Sequence, residues 1–336
     1  MAQTNRQWIL RRRPIGDVSD DDLVLETGTV PKPGDGEIIL RTRYLSMDPA
    51  NRPWMNETPT YMDPVPLNGP MLGLVLGEVV ASASKKFKVG APAMGLGSWS
   101  DYCQVKAADF DAVPNLPGIS EKDVFGIFMI VGPTAYFGIH DICTPKADET
   151  LVVSAAAGAV GSIAGQLGKA RGARVVGIAG GAEKCRRVVE EFHMDAAIDY
   201  KSEDVAERLA VLCPNGIDCL FDNVGGPILD AVLGRINDFG RVAQCGTISM
   251  YNAQQPVPGP YNYANVVLRR IKIQGFIVLD HRERYPEAHQ ELVRLRKAGK
   301  LHWSVHEDEG LKNALTVFRK LYSGGNQGKL LLKVAA

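Results

Sequence analysis

Residues 150–170 read TLVVSAAAGAVGSIAGQLGKA, and the fold is decided there. Thr150, Leu151, Val152, Val153 and Ser154 make a short apolar run, set off by Lys146, Asp148 and Glu149. Such a run predicts a buried strand. Small residues follow, Ala156-Ala157-Gly158-Ala159-Val160-Gly161, and then Ile163, Leu167 and Ala170 recur at helical spacing. Strand, tight turn and helix in that order are the context in which a glycine motif predicts a dinucleotide-binding turn. The pyrophosphate of such a ligand rests on the free N–H groups that open the helix. The fingerprint is G-x-G-x-x-G, and Ala156 takes its first glycine position. Small residues would also let a helix lie close to a sheet, so the segments downstream must decide.

They alternate regularly. Strands are expected at 173–178, 197–199, 216–222, 240–245 and 271–279, with helices at 183–192, from Asp204, and after Asn223-Val224-Gly225-Gly226. Upstream, Ser120-Glu121-Lys122-Asp123 opens a helix with an N-cap pattern, and a second helix follows over 131–139. This alternation predicts the α/β class: a Rossmann, doubly wound parallel sheet with helices on both faces.

Residues 1–125 read differently. Short strand patterns at 37–45, 74–83, 91–96 and 100–105 are divided by Gly and Pro, as in a partly open barrel or sandwich. Residues 56–70, NETPTYMDPVPLNGP, have no period and are expected to form a lid or a binding wall. The tail holds a strand, a helix over 311–321 and a strand over 329–334, and is expected to return to the first domain. The domains are therefore expected at 1–125, 126–290 and 291–336.

Lys+Arg and Asp+Glu are both 38, so the formal net charge is zero and nothing suggests nucleic acid as a partner. The basic clusters Arg11-Arg12-Arg13 and Arg269-Arg270 are short and fit solvated faces or domain contacts. No apolar run of eighteen residues predicts a membrane span, and the N-terminus lacks an apolar core of signal-peptide length, so the cytoplasm is expected. Cys103, Cys143, Cys185, Cys213, Cys219 and Cys245 are scattered without a C-x-x-C pair, which predicts buried free thiols rather than a zinc site or disulfides.

The choice of nicotinamide cofactor is made after the second strand. That strand ends without an acid, and Gly180-Gly181-Ala182-Glu183-Lys184-Cys185-Arg186-Arg187 follows. Lys184 or Arg187 could pair with a 2′-phosphate, which favours NADP(H) over NAD.

The chain resembles the zinc-independent medium-chain dehydrogenase/reductases, and within them the NADPH-dependent enone and alkenal reductases. That group holds prostaglandin reductases, plant double-bond reductases and bacterial curcumin reductases. The resemblance is carried by YLSMDPANR (44–52), PTAY (133–136), VSAAAGAVGSIAGQLGK (153–169), DYK (199–201), FDNVGG (221–226), CGTISMYN (245–252), QGFIV (274–278) and GNQGK (325–329). It implies a GroES-like first domain into which the Rossmann domain is inserted. It also implies cofactor contacts at Thr134, Ala157, Gly158, Ala159, Val160, Gly161 and Gly180. Lys184 would meet the 2′-phosphate, Tyr200 the adenosine, and Asn223 the ribose and diphosphate. Cys245, Gly246, Thr247, Phe276, Ile277 and Val278 would line the nicotinamide half, and Asn326 would close over the diphosphate.

Zinc-dependent relatives need a Cys and a Gly-His-Glu where this chain has Ser46-Met47-Asp48-Pro49 and Leu76-Gly77-Glu78, so no metal is expected. The reaction implied is reduction of a carbon–carbon double bond conjugated to a carbonyl, in a small-molecule enone or enal. Hydride goes to the β-carbon, a donor meets the enolate oxygen, and the α-carbon takes a proton. Tyr251 is the first candidate donor, since plant relatives carry a tyrosine at the matching position. Tyr261, Tyr263 and Tyr61 are its rivals. Where relatives read Asp-Pro-Tyr-Met-Arg, this chain has Asp48-Pro49-Ala50-Asn51-Arg52, and Asp48 and Arg52 are expected to form a structural pair. A quinone reductase and a non-enzymatic NADPH-binding protein are the competing functions. Strand 271–279 would be a sheet edge, and relatives pair such edges across a two-fold axis, so a homodimer is expected.

Overall fold

The computed structural model describes residues 3–334, and the chain divides into two units. One holds the described residues up to Gly126 and those from Val305 on; the other is Ile127–Ser304.

The first unit begins with β1 (Thr4–Leu10) and β2 (Leu23–Thr29), an antiparallel pair. Then come β3 (Glu37–Ser46), β4 (Leu72–Ser82), β5 (Pro92–Ser98), β6 (Tyr102–Lys106) and β7 (Phe110–Ala112). Inward-facing side chains such as Ile38, Leu40, Leu45, Val75, Val79, Trp99 and Phe110 form its core. A short α1 (Glu121–Asp123) starts where Ser120 Oγ accepts the backbone N–H of Asp123, the expected cap.

The second unit follows the alternation read from the sequence. In order it holds α2 (Val131–Phe137), β8 (Thr150–Ser154), α3 (Ala159–Ala170), β9 (Arg174–Ala179), α4 (Ala182–Glu190), β10 (Ala196–Asp199) and α5 (Val205–Leu212). It continues with β11 (Ile217–Asp222), α6 (Gly226–Leu233), β12 (Ile236–Gln244), α7 (Asn265–Leu268), β13 (Lys272–Gly275) and α8 (Tyr285–Lys297). The sheet order is β10-β9-β8-β11-β12-β13, and every neighbouring pair is parallel. All five residues of β8 are buried, as a strand covered on both faces must be. The strand order reverses between β8 and β11, and ligands of such sheets sit beyond the carboxyl ends of the strands at that point.

The tail supplies β14 (Val305–Glu309), α9 (Ala314–Ser323) and β15 (Lys329–Lys333). β15 lies antiparallel to β3, with Leu331 opposite Ser46, and completes a sheet of order β14-β15-β3-β4-β5-β7, with β6 also on β3. Leu315, Phe318, Leu330 and Leu332 enter the first unit's core. The tail begins at Val305 rather than at 291, because α8 runs on to Lys297 and packs with α2 inside the second unit.

Three further differences have local causes. β12 starts at Ile236 rather than at 240, passing a bend at Phe239 whose φ is +62°. β13 ends at Gly275, after which residues 278–284 form 3-10 turns. The helical stretch Glu121–Cys143 is long and apolar enough to cross a membrane, but most of its apolar window is buried inside the protein, as in a core helix.

Candidate cofactor and active site

The turn after β8 is shaped by backbone geometry. Ala155 has φ +50°, and Gly158 N–H donates to the Ala155 carbonyl at 2.8 Å. Gly158 is extended and caps α3, which opens on the N–H groups of Ala159, Val160 and Gly161. A Cβ on Gly161 would lie 2.3 Å from the Ala155 oxygen, so only glycine fits there. Ala156 replaces the first glycine at little cost, because its methyl group is buried over Gly177 of β9. Ala157 is buried beside it. The cradle is therefore of the kind that takes a dinucleotide diphosphate.

At the end of β9, Gly180 lies under the Tyr200 ring, and a Cβ on it would be 2.8 Å from a ring carbon. Gly181, with φ +93°, donates its N–H to Asp199 Oδ1 at 2.7 Å. That hydrogen bond is the main reason the Asp199 carboxyl titrates below its usual range. Lys184 is half-buried in the first turn of α4 and has no ion-pair partner among the described residues. Burial pushes its ammonium pKa down, and Lys201 and Arg187 push it further. A half-buried cation among other cations, beside an exposed aromatic ring, suits a 2′-phosphate and an adenine. Arg187, the other cation considered for that phosphate, is committed elsewhere. It is 5% exposed, pairs with Glu191 at 2.8 Å, donates to Ser304 Oγ and stacks on Phe192.

The switch point is held by a carboxylate that sequence reasoning did not single out. Asp222, fully buried, accepts from Ser154 Oγ at 2.6 Å, from the N–H groups of Val224 and Gly225, and from Gln244 Nε2. Ser154 Oγ accepts the Asn223 N–H, and Asn223 Nδ2 donates to the Ser154 carbonyl at 2.7 Å. A serine ending the first strand and an aspartate opening FDNVGG were the available signals.

In the loop after β12, Cys245 N–H donates to the Asp222 carbonyl, and burial together with the Asp222 charge pushes the Cys245 thiol up to about 12. It is a neutral thiol at physiological pH. Tyr251 folds back over this loop. Its hydroxyl accepts the Thr247 N–H at 3.4 Å and lies 3.4 Å from where a Cβ on Gly246 would be. Burial raises its pKa, with Thr247 pulling the other way, so it stays a protonated donor. Phe276 packs edge-on to Phe221 with centroids 6.3 Å apart, Ile277 is partly buried and Val278 is buried. Thr134, buried in α2, donates its hydroxyl to the Ile130 carbonyl. Tyr261 and Tyr263, 87% and 61% exposed, sit on the 3-10 turn Tyr261–Ala264.

In the first unit, Tyr61 is half-exposed and its hydroxyl accepts Trp54 Nε1 at 3.2 Å. Asn326 Nδ2 donates to the Gly328 carbonyl within its own loop. The expected Asp48–Arg52 pair does not form. Asp48 is bonded to Lys329 and Ser46, and Lys329 Nζ also donates to Ser46 Oγ at 2.6 Å. Arg52 instead donates to the Pro14 and Gly16 carbonyls and to Asn56 Oδ1. Where zinc-dependent relatives carry ligands, Ser46 is tied to Lys329 and Glu78 to Arg41. This hydroxyl and ion-paired carboxylate do not fit a zinc site. All six cysteines are free, and no group of three His, Cys, Asp or Glu residues is placed to hold a metal among the described residues.

The family description "N-terminal domain of oxidoreductase" matches residues 6–113, and "Zinc-binding dehydrogenase" matches residues 159–294. The chain is 40% identical to the NADPH-dependent curcumin reductase of Escherichia coli over 99% of this chain and 98% of that one. It is 36% identical to the NADP(+)-dependent 2-alkenal reductase of Nicotiana tabacum over 99% and 98%. Among solved structures, CurA from Vibrio vulnificus in complex with NADPH superposes with a TM-score of 0.93 at 38% identity, covering 98% of this chain and 99% of that one. The chain belongs to the NADPH-dependent enone and alkenal reductase group of the medium-chain dehydrogenase/reductases.

Proposed function

We propose that this protein uses NADPH to reduce the carbon–carbon double bond of α,β-unsaturated ketones and aldehydes, and that it does so as a cytoplasmic homodimer. The observation that carries the reading is the placement of the Tyr251 hydroxyl over Gly246 and Thr247, beyond the carboxyl end of β12. A nicotinamide cofactor bound there would supply the hydride that the substrate's β-carbon needs. The α3 N-terminus would hold its diphosphate and Lys184 its 2′-phosphate. Tyr251 donates a hydrogen bond to the carbonyl oxygen as negative charge collects on it, which lowers the barrier to hydride arrival. The α-carbon then takes a proton, completing the saturated product. Cys245, held as a thiol, is a poor nucleophile toward an electrophilic enone in the same site. For the homodimer, the support is β13, which among the described residues pairs with β12 alone and leaves its outer edge to a second copy.

The test is NADPH consumption with an aryl enone, a short 2-alkenal and a quinone, with the products identified. Saturated ketone and aldehyde are expected. Turnover of the quinone alone, or of none of the three, would overturn the reading. Light scattering should give twice the chain mass.

A further inference from the structure

Asp199 ends β10 directly opposite Ala179, the last residue of β9, so the turns after the two strands start side by side. An acid at the end of a strand can accept from ribose hydroxyls. Both oxygens of this one are already bonded within the protein. Oδ1 accepts two backbone N–H groups, from Gly181 at 2.7 Å and from Lys201 at 3.0 Å. Oδ2 accepts the Ser202 hydroxyl at 2.9 Å. The Asp199 N–H in turn donates to Glu203 Oε2 at 2.9 Å, which holds the backbone from which the carboxylate projects.

The two N–H groups on Oδ1 belong to different turns. Gly181 is the N-cap of α4; having no side chain, it cannot cap the helix itself, and its carbonyl accepts the Cys185 N–H at 3.1 Å. The place of Gly181 therefore sets where α4 begins, and Lys184 is the third residue of that helix. Lys201 follows Tyr200, whose N–H donates to the Ala179 carbonyl at 3.1 Å and whose ring lies against Gly180. A single oxygen atom thus refers the turn that carries the half-buried cation and the turn that carries the aromatic ring to the same point.

We propose that Asp199 is a positioning residue for the 2′-phosphate of NADPH, acting through Lys184 by fixing the start of α4 against the turn that carries Tyr200. This rests on the assignment of that phosphate to Lys184 above. A site fixed before binding spares the ordering cost that a loose turn would charge against affinity. The sign of the effect separates placement from charge. A carboxylate near a phosphate dianion opposes it, so on charge alone the loss of Asp199 would tighten binding. On placement it weakens it.

The experiment is isothermal titration calorimetry of the full chain with adenosine 2′,5′-bisphosphate and with adenosine 5′-monophosphate. The Kd of the monophosphate divided by that of the bisphosphate reads the worth of the 2′-phosphate. In Asp199→Ala this ratio should fall about tenfold, a loss of about 1.4 kcal/mol. Asp199→Asn keeps Oδ1 as an acceptor and should stay near the wild-type ratio. Asp199→Glu keeps the charge but displaces the oxygens by a methylene, and should fall with the alanine variant. In a Lys184→Ala background, adding Asp199→Ala should lower the ratio no further, as expected of residues that act as one unit. An unchanged or raised ratio in Asp199→Ala, or in Asp199→Glu should the alanine variant not fold, overturns the proposal. So does an Asp199→Asn ratio as low as that of Asp199→Ala, or an equal fall with and without Lys184. A Lys184→Ala ratio equal to that of wild type overturns the assignment of the phosphate to Lys184 and the proposal with it, and that single variant tells the two failures apart.

Discussion

The methyl group of Ala156 fills the space a side chain on Gly177 would need: a Cβ on Gly177 would lie 2.7 Å from it, and 2.6 Å from Val188 Cγ1. The alanine in the turn after β8 and the glycine in the neighbouring strand therefore form a complementary pair. Gly177→Ala should destabilise the protein by about 1–3 kcal/mol through overpacking. Adding Ala156→Gly should recover part of that loss, since the Val188 clash remains. Urea midpoints of the two single variants and the double variant test this; strict additivity would show that the two positions do not share space.

Lys184→Ala should raise the KM for NADPH by at least about tenfold, the loss of one charge-assisted contact, and leave NADH use nearly unchanged. Equal loss with both cofactors would remove the 2′-phosphate from this lysine. The pH dependence has a definite sign. The free enzyme's Lys184 titrates below the ordinary lysine value, and a phosphate dianion binds its charged form. Preference for NADPH over NADH should therefore decline as pH rises toward about 10, the ordinary lysine range, rather than above it.

Tyr251→Phe should lower kcat with an enone by at least about tenfold, up to the ~10²–10³ typical of a lost oxyanion donor, with the dissociation constant for NADPH held. Because burial raises the Tyr251 pKa, wild-type kcat should not fall from loss of this proton until pH exceeds about 10, the ordinary tyrosine value. An unchanged kcat in the variant would shift the role to Tyr261 or Tyr61.

Removing one member of the Asp48–Lys329 pair should be costlier on one side than the other. The Lys329 side chain is 3% exposed and that of Asp48 25%. Asp48→Asn strands a buried ammonium and should cost about 3 kcal/mol or more, whereas Lys329→Met leaves a carboxylate with access to water and should cost less. Thermal or urea unfolding of both variants checks the order. A reversed order would mean that the pair is organised around Asp48 instead.

Much of the second unit was legible in order and type because each strand there is a short apolar run bounded by glycine or charge. Its strand order follows from βα alternation, which leaves few topologies open. The strand, turn and helix over 150–170 were legible for the same local reason. Contacts between residues far apart in the chain were not. Asp48 was expected to pair with the cation four residues on, Arg52, but the tail returns Lys329 to it from 281 positions away. β1 and β2 also escaped notice, since TNRQWIL and LVLETGT alternate poorly, with one end of each strand buried and the other solvated. Lys184 and Arg187 looked equivalent in sequence. Three positions apart on a helix, one meets a cluster of cations and the other Glu191 and Phe192.

The Asp222 carboxylate ends one strand and is bonded to groups at the ends of two others, Ser154 of β8 and Gln244 of β12, and to the loop N–H groups of Val224 and Gly225. Three turns that could each drift on their own are thereby referred to a single anchor. A disturbance at any one of them is shared by the others, so the floor of the site moves as a unit or not at all. The spacing between the N-terminus of α3 and the loop that carries Tyr251 is then a property of the sheet.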